Sequence, residues 1–143
     1  MAELLGEHRY QLDAKGRISL PAKFRDAFSE GVFLTLGQDG CLFAFPRVEW
    51  DRRRTEIQEL AISDPRNRAY ARMFFGNAER AELDVQGRLV LPRKLRENAT
   101  LGREVTVVGV SDRLEIWGLE AWDRYLQTHE GSYSTGALVP ERG

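Results

Sequence analysis

The sequence predicts a mainly β protein with short helices, in the α+β class. It is built from two β-β-α-β-β repeats, with a helical insertion after the first and a C-terminal helix after the second. Three observations predict this. A thirteen-residue segment occurs twice, at 13–25 and 84–96. Each occurrence leads into two runs of β-branched and aromatic residues separated by a turn. Each copy is roughly 50 residues, too few to bury a good core alone. The two copies must therefore share one core, as a β-barrel or sandwich with pseudo-two-fold symmetry.

The duplication is read directly. Asp13-Ala14-Lys15-Gly16-Arg17-Ile18-Ser19-Leu20-Pro21-Ala22-Lys23-Phe24-Arg25 matches Asp84-Val85-Gln86-Gly87-Arg88-Leu89-Val90-Leu91-Pro92-Arg93-Lys94-Leu95-Arg96. Seven pairs are identical at an offset of 71. The match continues through Gly31 and Gly102. Val32–Gly37 then resembles Glu104–Gly109 at an offset of 72, as though one residue had been added. Leu42–Phe45 follows Leu114–Trp117, and Trp50-Asp51-Arg52 follows Trp122-Asp123-Arg124. The expected division is 6–60 for the first repeat, 61–76 for a helical connector, 77–130 for the second repeat and 131–143 for a disordered polar tail.

The elements follow in order. Residues 7–12 and 17–20 alternate polar and apolar as half-buried strands. Between them Asp13–Gly16 forms a hairpin turn, with Gly16 free to take a positive φ. Pro21 and Pro92 end the second strand of each copy and suit a helix start. Phe24, Ala27 and Phe28 then fall on one helical face. The runs 32–36 and 41–45, repeated at 104–108 and 113–117, make two more strands. After the first copy, helices are expected at 47–60 and 66–75, with Trp50, Ile57 and Leu60 facing Tyr70, Met73 and Phe74. A last helix is expected at 119–129.

Composition excludes several classes of protein. No apolar run reaches the roughly 18–20 residues that cross a bilayer. Residues 1–7 do not read as a secretory signal. The single cysteine, Cys41, can form no intramolecular disulfide. Its apolar neighbours predict a buried thiol, consistent with a cytoplasmic protein. The two histidines, His8 and His129, are expected at the surface and do not pair at metal-ligand spacing. Neither glycine turn carries the phosphate-loop lysine. An enzyme is therefore not expected, and no cofactor, metal or small-molecule substrate is implied.

Charge is the informative feature. The chain carries a net −1. Yet Lys15, Arg17, Lys23 and Arg25 outweigh Asp13 to give +3 in the first motif, and Arg88, Arg93, Lys94 and Arg96 outweigh Asp84 to give +3 in the second. The rest of the chain therefore carries −7. With both motifs on one side of a pseudo-symmetric body, the product is one basic surface on an acidic protein, the footprint of a nucleic-acid binder. Arginine can pair bidentately with guanine, and lysine at a turn tip suits a phosphate. Asp13 and Asp84 are read as orienting Arg17 and Arg88, or as bonding the turn backbone. One such motif alone would read as a turn with a surface salt bridge, because surface charges are usually only solvated. Two matching basic copies in an acidic chain point to double-stranded DNA.

The paired Asp-x-x-x-Arg motifs, each followed by an apolar residue, Leu-Pro and a short basic helix, resemble the MraZ family. The resemblance covers nearly the whole chain. It implies two tandem SpoVT-AbrB-type domains in an AbrB-like barrel. It also implies a transcriptional regulator of the division and cell-wall gene cluster that encodes it, a nucleoid-associated protein that binds G-rich direct repeats in the promoter as a homo-oligomeric ring. Carried over by residue, Arg17 and Arg88 are the base readers. Lys15, Gly16 and Gly87 support them, and Lys23, Arg25, Lys94 and Arg96 belong to the basic helices. Gln86 stands where the first copy has Lys15, so unequal contributions from the two copies are expected. The competing reading is a protein-interaction or antitoxin-like scaffold on the same fold. It would use Trp50, Tyr70, Phe74, Phe75 and Trp122, residues better read as core. The run Arg52-Arg53-Arg54 is expected to be a solvated helix face.

Overall fold

The chain forms short strands and helices because its turn residues interrupt it every few positions and its apolar residues then sort by face. The structure, a computed structural model, describes residues 3–136 and 138–140. Strands are β1 (Leu4–Gln11), β2 (Arg17–Ser19), β3 (Val32–Leu36), β4 (Leu42–Phe45), β5 (Glu79–Ala81), β6 (Arg88–Val90), β7 (Glu104–Ser111) and β8 (Leu114–Gly118). Helices are α1 (Ala22–Arg25), extended by a 3-10 turn over Asp26–Phe28, then α2 (Arg47–Gln58), α3 (Pro65–Gly76), α4 (Arg93–Asn98) and α5 (Leu119–Thr135).

The strands form a six-stranded antiparallel sheet, ordered β1-β7-β8-β4-β3-β5, and a separate two-stranded ribbon, β2-β6. The expected barrel is not closed by hydrogen bonds. β1 and β5 are the sheet edges, and the ribbon lies across one face.

The expected hairpin of the first two strands does not form either. β1 pairs with β7 of the other copy, and β2 with β6 of the other copy. β5 likewise pairs with β3, and β4 with β8. Only β3–β4 and β7–β8 pair within a copy. The chain still turns tightly at Asp13–Gly16, but the strands on either side diverge into different layers.

The pseudo-dyad is visible in the register. Ile18 pairs with its own counterpart Leu89 in the ribbon, and Phe43 with its counterpart Glu115 in the sheet. Pairing also corrects the expected offset. Tyr10 meets Val105 while its counterpart Ala81 meets Val32, an offset of 73 through the third strand, against 72 in the fourth. The second copy thus gains two residues, Arg103 and Glu104, between Gly102 and Val105 and loses one in the following turn.

Two apolar layers result. The main core lies between the sheet and the ribbon. Ile18, Leu20, Leu89 and Leu91 meet Leu34, Leu42, Val107 and Ile116 there, with Phe24 and Leu95 from α1 and α4. Each of these residues is at most 1% exposed, so the ribbon is anchored along its length. The outer face of the sheet carries an aromatic layer under α2, α3 and α5. Trp50 stacks between Phe33 and Phe74, with ring centroids 5.4 Å away on each side. Trp117 packs against Trp122 and Tyr125 in the second copy. Leu60 and Met73, expected in this layer, are exposed. Leu60 lies beyond the end of α2.

α5 runs to Thr135, so residues 131–135, expected in the disordered tail, belong to a helix. Residues 137 and 141–143 of that tail lie outside the described residues. His8 is half-buried rather than superficial, edge-on to Phe24 at 5.5 Å. Arg53 is not freely solvated: its guanidinium covers the Phe45 ring at 5.6 Å and lies 3.8 Å from Asp112.

Candidate nucleic-acid interface

Each of the two repeated turns is built by one aspartate. Asp13 Oδ1 accepts from the backbone N–H groups of Lys15 and Arg17, both at 2.9 Å, and Oδ2 accepts from Arg17 Nε at 2.6 Å. Asp84 does the same with Gln86 N and Arg88 N at 2.9 Å and Arg88 Nε at 2.7 Å. The two readings of the aspartates, turn bonding and arginine orienting, therefore hold together in one side chain. The backbone N–H of Arg17, chiefly, holds the Asp13 carboxyl below the ordinary carboxylate range, with help from the Arg17 side chain. The N–H of Arg88 acts likewise on Asp84. Both acids are thus firmly ionised near neutrality.

The aspartates engage only Nε. Among the described residues no acceptor meets Nη1 or Nη2 of either arginine. The side chains are partly open, 22% exposed for Arg17 and 33% for Arg88. In β2 and β6 the central residues, Ile18 and Leu89, point into the core. Alternation then sends Arg17, Ser19, Arg88 and Val90 to the opposite, outer face. That face is a slim two-stranded ribbon with a fixed arginine towards each end.

The glycines are required twice over. Gly16 and Gly87 have φ of 73° and 77°, the left-handed region that disfavours other residues. The carbonyl of Gly16 accepts from Leu91 N, and that of Gly87 from Leu20 N, so each loop is tied to the other copy's strand. A Cβ on Gly16 would lie 2.8 Å from Arg96 Cζ, and one on Gly87 would overlap Arg25. These two arginines are thereby fixed within the protein. Arg25 Nε and Nη2 donate to Leu20 O at 3.2 Å, and Arg96 Nε donates to Leu91 O at 3.0 Å.

The other predicted residues are dispersed. Lys15 and Gln86 are exposed at the loop tips, beside Ala14 and the fully exposed Val85. Lys23 is exposed but lies over the Phe24 ring, near Gly6 of β1, rather than beside the arginines. Lys94 is exposed on α4. Ser19 and Val90 share the arginine-bearing face and were not singled out in the sequence. Their alternation with Ile18 and Leu89 was the available signal, but the partner strand was unknown.

Among the described residues nothing else forms a competing centre of that kind. Cys41 is buried, and burial, followed by the Glu115 charge, pushes its thiol far up, away from nucleophilic use. Among the described residues no group of three or more His, Cys, Asp or Glu side chains is placed to hold a metal ion. No helix among them is long and apolar enough to cross a membrane.

The fold and site define a duplicated, interleaved β protein that presents two aspartate-braced arginines on one ribbon. Residues 4–73 and 74–137 each match the family model described as "MraZ protein, putative antitoxin-like". The chain belongs to the MraZ family. It is 43% identical over 129 residues to a protein of Natranaerobius thermophilus, covering 90% of each chain. It is 42% identical over 130 residues to one of Saccharopolyspora erythraea, covering 91% of each. It is 39% identical over 137 residues to one of Halothermothrix orenii, covering 96% of each. All three relatives are named "Transcriptional regulator MraZ", the name of a regulator and not of an enzyme.

Proposed function

We propose that this protein is a sequence-specific DNA-binding transcriptional regulator whose β2–β6 ribbon enters the major groove. The observation that carries the reading is the bracing of Arg17 and Arg88 through Nε alone. Their two Nη groups stay free and pre-aimed, and a guanine presents O6 and N7 to such a pair. Pre-aiming lowers the side-chain entropy lost on binding. A groove about 12 Å wide accepts a two-stranded ribbon. Lys15 meets a phosphate, as do Lys23 and Lys94 at the flanks, while Gly16 and Gly87 allow close backbone approach. Arg25 and Arg96 act as positioning residues that hold the loops. Gln86 makes the second loop the weaker phosphate contact.

The biological target follows from the family likeness: short G-rich direct repeats in the promoter of its own division and cell-wall gene cluster, with the protein at the nucleoid. One ribbon reads few bases. A homo-oligomeric ring engaging successive repeats would raise affinity through effective concentration, provided repeat and subunit spacings match. The acidic remainder of the chain keeps non-specific binding low.

Fluorescence-anisotropy titration against the DNA upstream of its own gene, over a salt series, tests the reading. Preference over scrambled DNA, steep weakening with salt and collapse in Arg17→Ala are expected. Equal binding to scrambled DNA, or none, would leave the alternative of a protein-interaction module.

A further inference from the structure

The ribbon obeys its dyad in backbone but not in chemistry. A symmetric ribbon would carry the same residue at 19 and 90; this one carries serine and valine. The register places Val90 directly opposite Arg17 and Ser19 directly opposite Arg88. Partners on one face of an antiparallel pair have Cβ atoms about 4.5–5.5 Å apart. Both residues are exposed, Val90 at 51%, and neither belongs to an apolar cluster. Packing therefore accounts for Leu89 and Leu91 but not for Val90.

We infer that Ser19 and Val90 determine specificity and give the DNA contact a direction. The inference rests on the DNA-binding reading above. Successive bases are about 3.4 Å apart along a strand, so the residue opposite each arginine lies over a base pair neighbouring the one that arginine reads. Valine has no donor or acceptor, and the apolar group that the major groove offers is the C5-methyl of thymine. The Arg17–Val90 half therefore takes a guanine beside a thymine. The Ser19 hydroxyl both donates and accepts, so the Arg88–Ser19 half takes a guanine beside a base offering a polar edge. An inverted repeat presents the same bases to both halves and mismatches one of them. The site is thus read in a single orientation, chosen by two exposed side chains.

The test uses the full chain as wild type, Val90→Ser, Ser19→Val and the double exchange. The preferred site of each is selected from random duplexes. Each thymine of the wild-type site is then replaced singly by deoxyuridine, which removes only the methyl group. One thymine beside a guanine is expected to matter, its replacement weakening wild-type binding about fourfold, the worth of one buried methyl-sized group. The same replacement should leave Val90→Ser unchanged. Ser19→Val should select an inverted repeat with a thymine beside the guanine in both halves, and the double exchange should return the wild-type duplex, which read from its other strand is the same site with its halves interchanged. Equal losses in wild type and Val90→Ser, a Ser19→Val site with no such thymine in its second half, or a wild-type site with no thymine beside a guanine would each overturn the inference while leaving DNA recognition standing. A wild-type protein that selects no site would overturn DNA recognition itself, and this inference with it.

Discussion

Arg25 of the first copy lies against Gly87 of the second, so closely that a single added carbon would overlap its guanidinium. Arg96 and Gly16 make the reciprocal contact. Each glycine-bearing loop is thus packed against a side chain from the opposite copy. Gly87→Ala is expected to cost more than the roughly 1–2 kcal/mol of left-handed backbone strain. Gly40→Ala supplies the control, because Gly40 has a φ of 82° with nothing near its Cβ position. Urea denaturation should give a clearly larger loss for Gly87→Ala than for Gly40→Ala.

Because the aspartates orient the arginines through charge, Asp13→Asn should separate binding from folding. Asparagine keeps an acceptor for the Lys15 and Arg17 N–H groups but loses the anion facing Arg17 Nε. DNA discrimination should fall steeply while the melting temperature falls only slightly, by the share of stability that the exposed Asp13 charge contributes. An unchanged base preference would show that Arg17 needs no bracing.

The acid response has a definite sign. Asp13 and Asp84 are more acidic in the fold than their ordinary value of 3.8. The stability they contribute is therefore fully present above that value and is lost as pH falls through the lower folded values. Carboxyl titration followed by NMR should show both more than half ionised at pH 3.8, with the midpoints of the Lys15, Arg17, Gln86 and Arg88 amide shifts lying below it.

Lys15 and Gln86 occupy equivalent tips with different charge. Lys15→Gln should lower the dependence of log affinity on log salt by about 0.9, the value for one phosphate contact on duplex DNA. Gln86→Lys should raise it by a similar amount. Slopes that do not move would place both tips away from the backbone.

The strand pairing also predicts a fragment experiment. Residues 1–76 alone leave β1 and β2 without a partner and β4 with β3 only, and residues 77–143 leave β5 and β6 without a partner and β8 with β7 only. Each fragment should be unfolded by circular dichroism, and their mixture should recover structure. A folded single fragment would contradict the shared core.

The sequence by itself determined the duplication, the two basic motifs and, apart from the end of α5, the positions of most strands and helices to within a few residues. These are local signals: turn residues, alternation and helical spacing act over a few neighbours. It also read Asp13 and Asp84 as orienting Arg17 and Arg88 or bonding the turn backbone, because a turn brings residues four apart together. Tertiary structure decided which strands pair. Asp13–Gly16 reads as a hairpin turn, yet β1 and β2 part company because Leu20 and Leu91 bond to the other copy's loop carbonyls and Ile18 and Leu89 share one core. That choice rests on burial gained between residues about 70 apart, which no local pattern records. It also decided that Arg25 and Arg96 pack against the opposite copy's glycines, that Nη1 and Nη2 of Arg17 and Arg88 meet no acceptor among the described residues, and that Ser19 and Val90 share their face of the ribbon. A side chain's role on a shared ribbon depends on the strand opposite, and only the folded pairing supplies that strand.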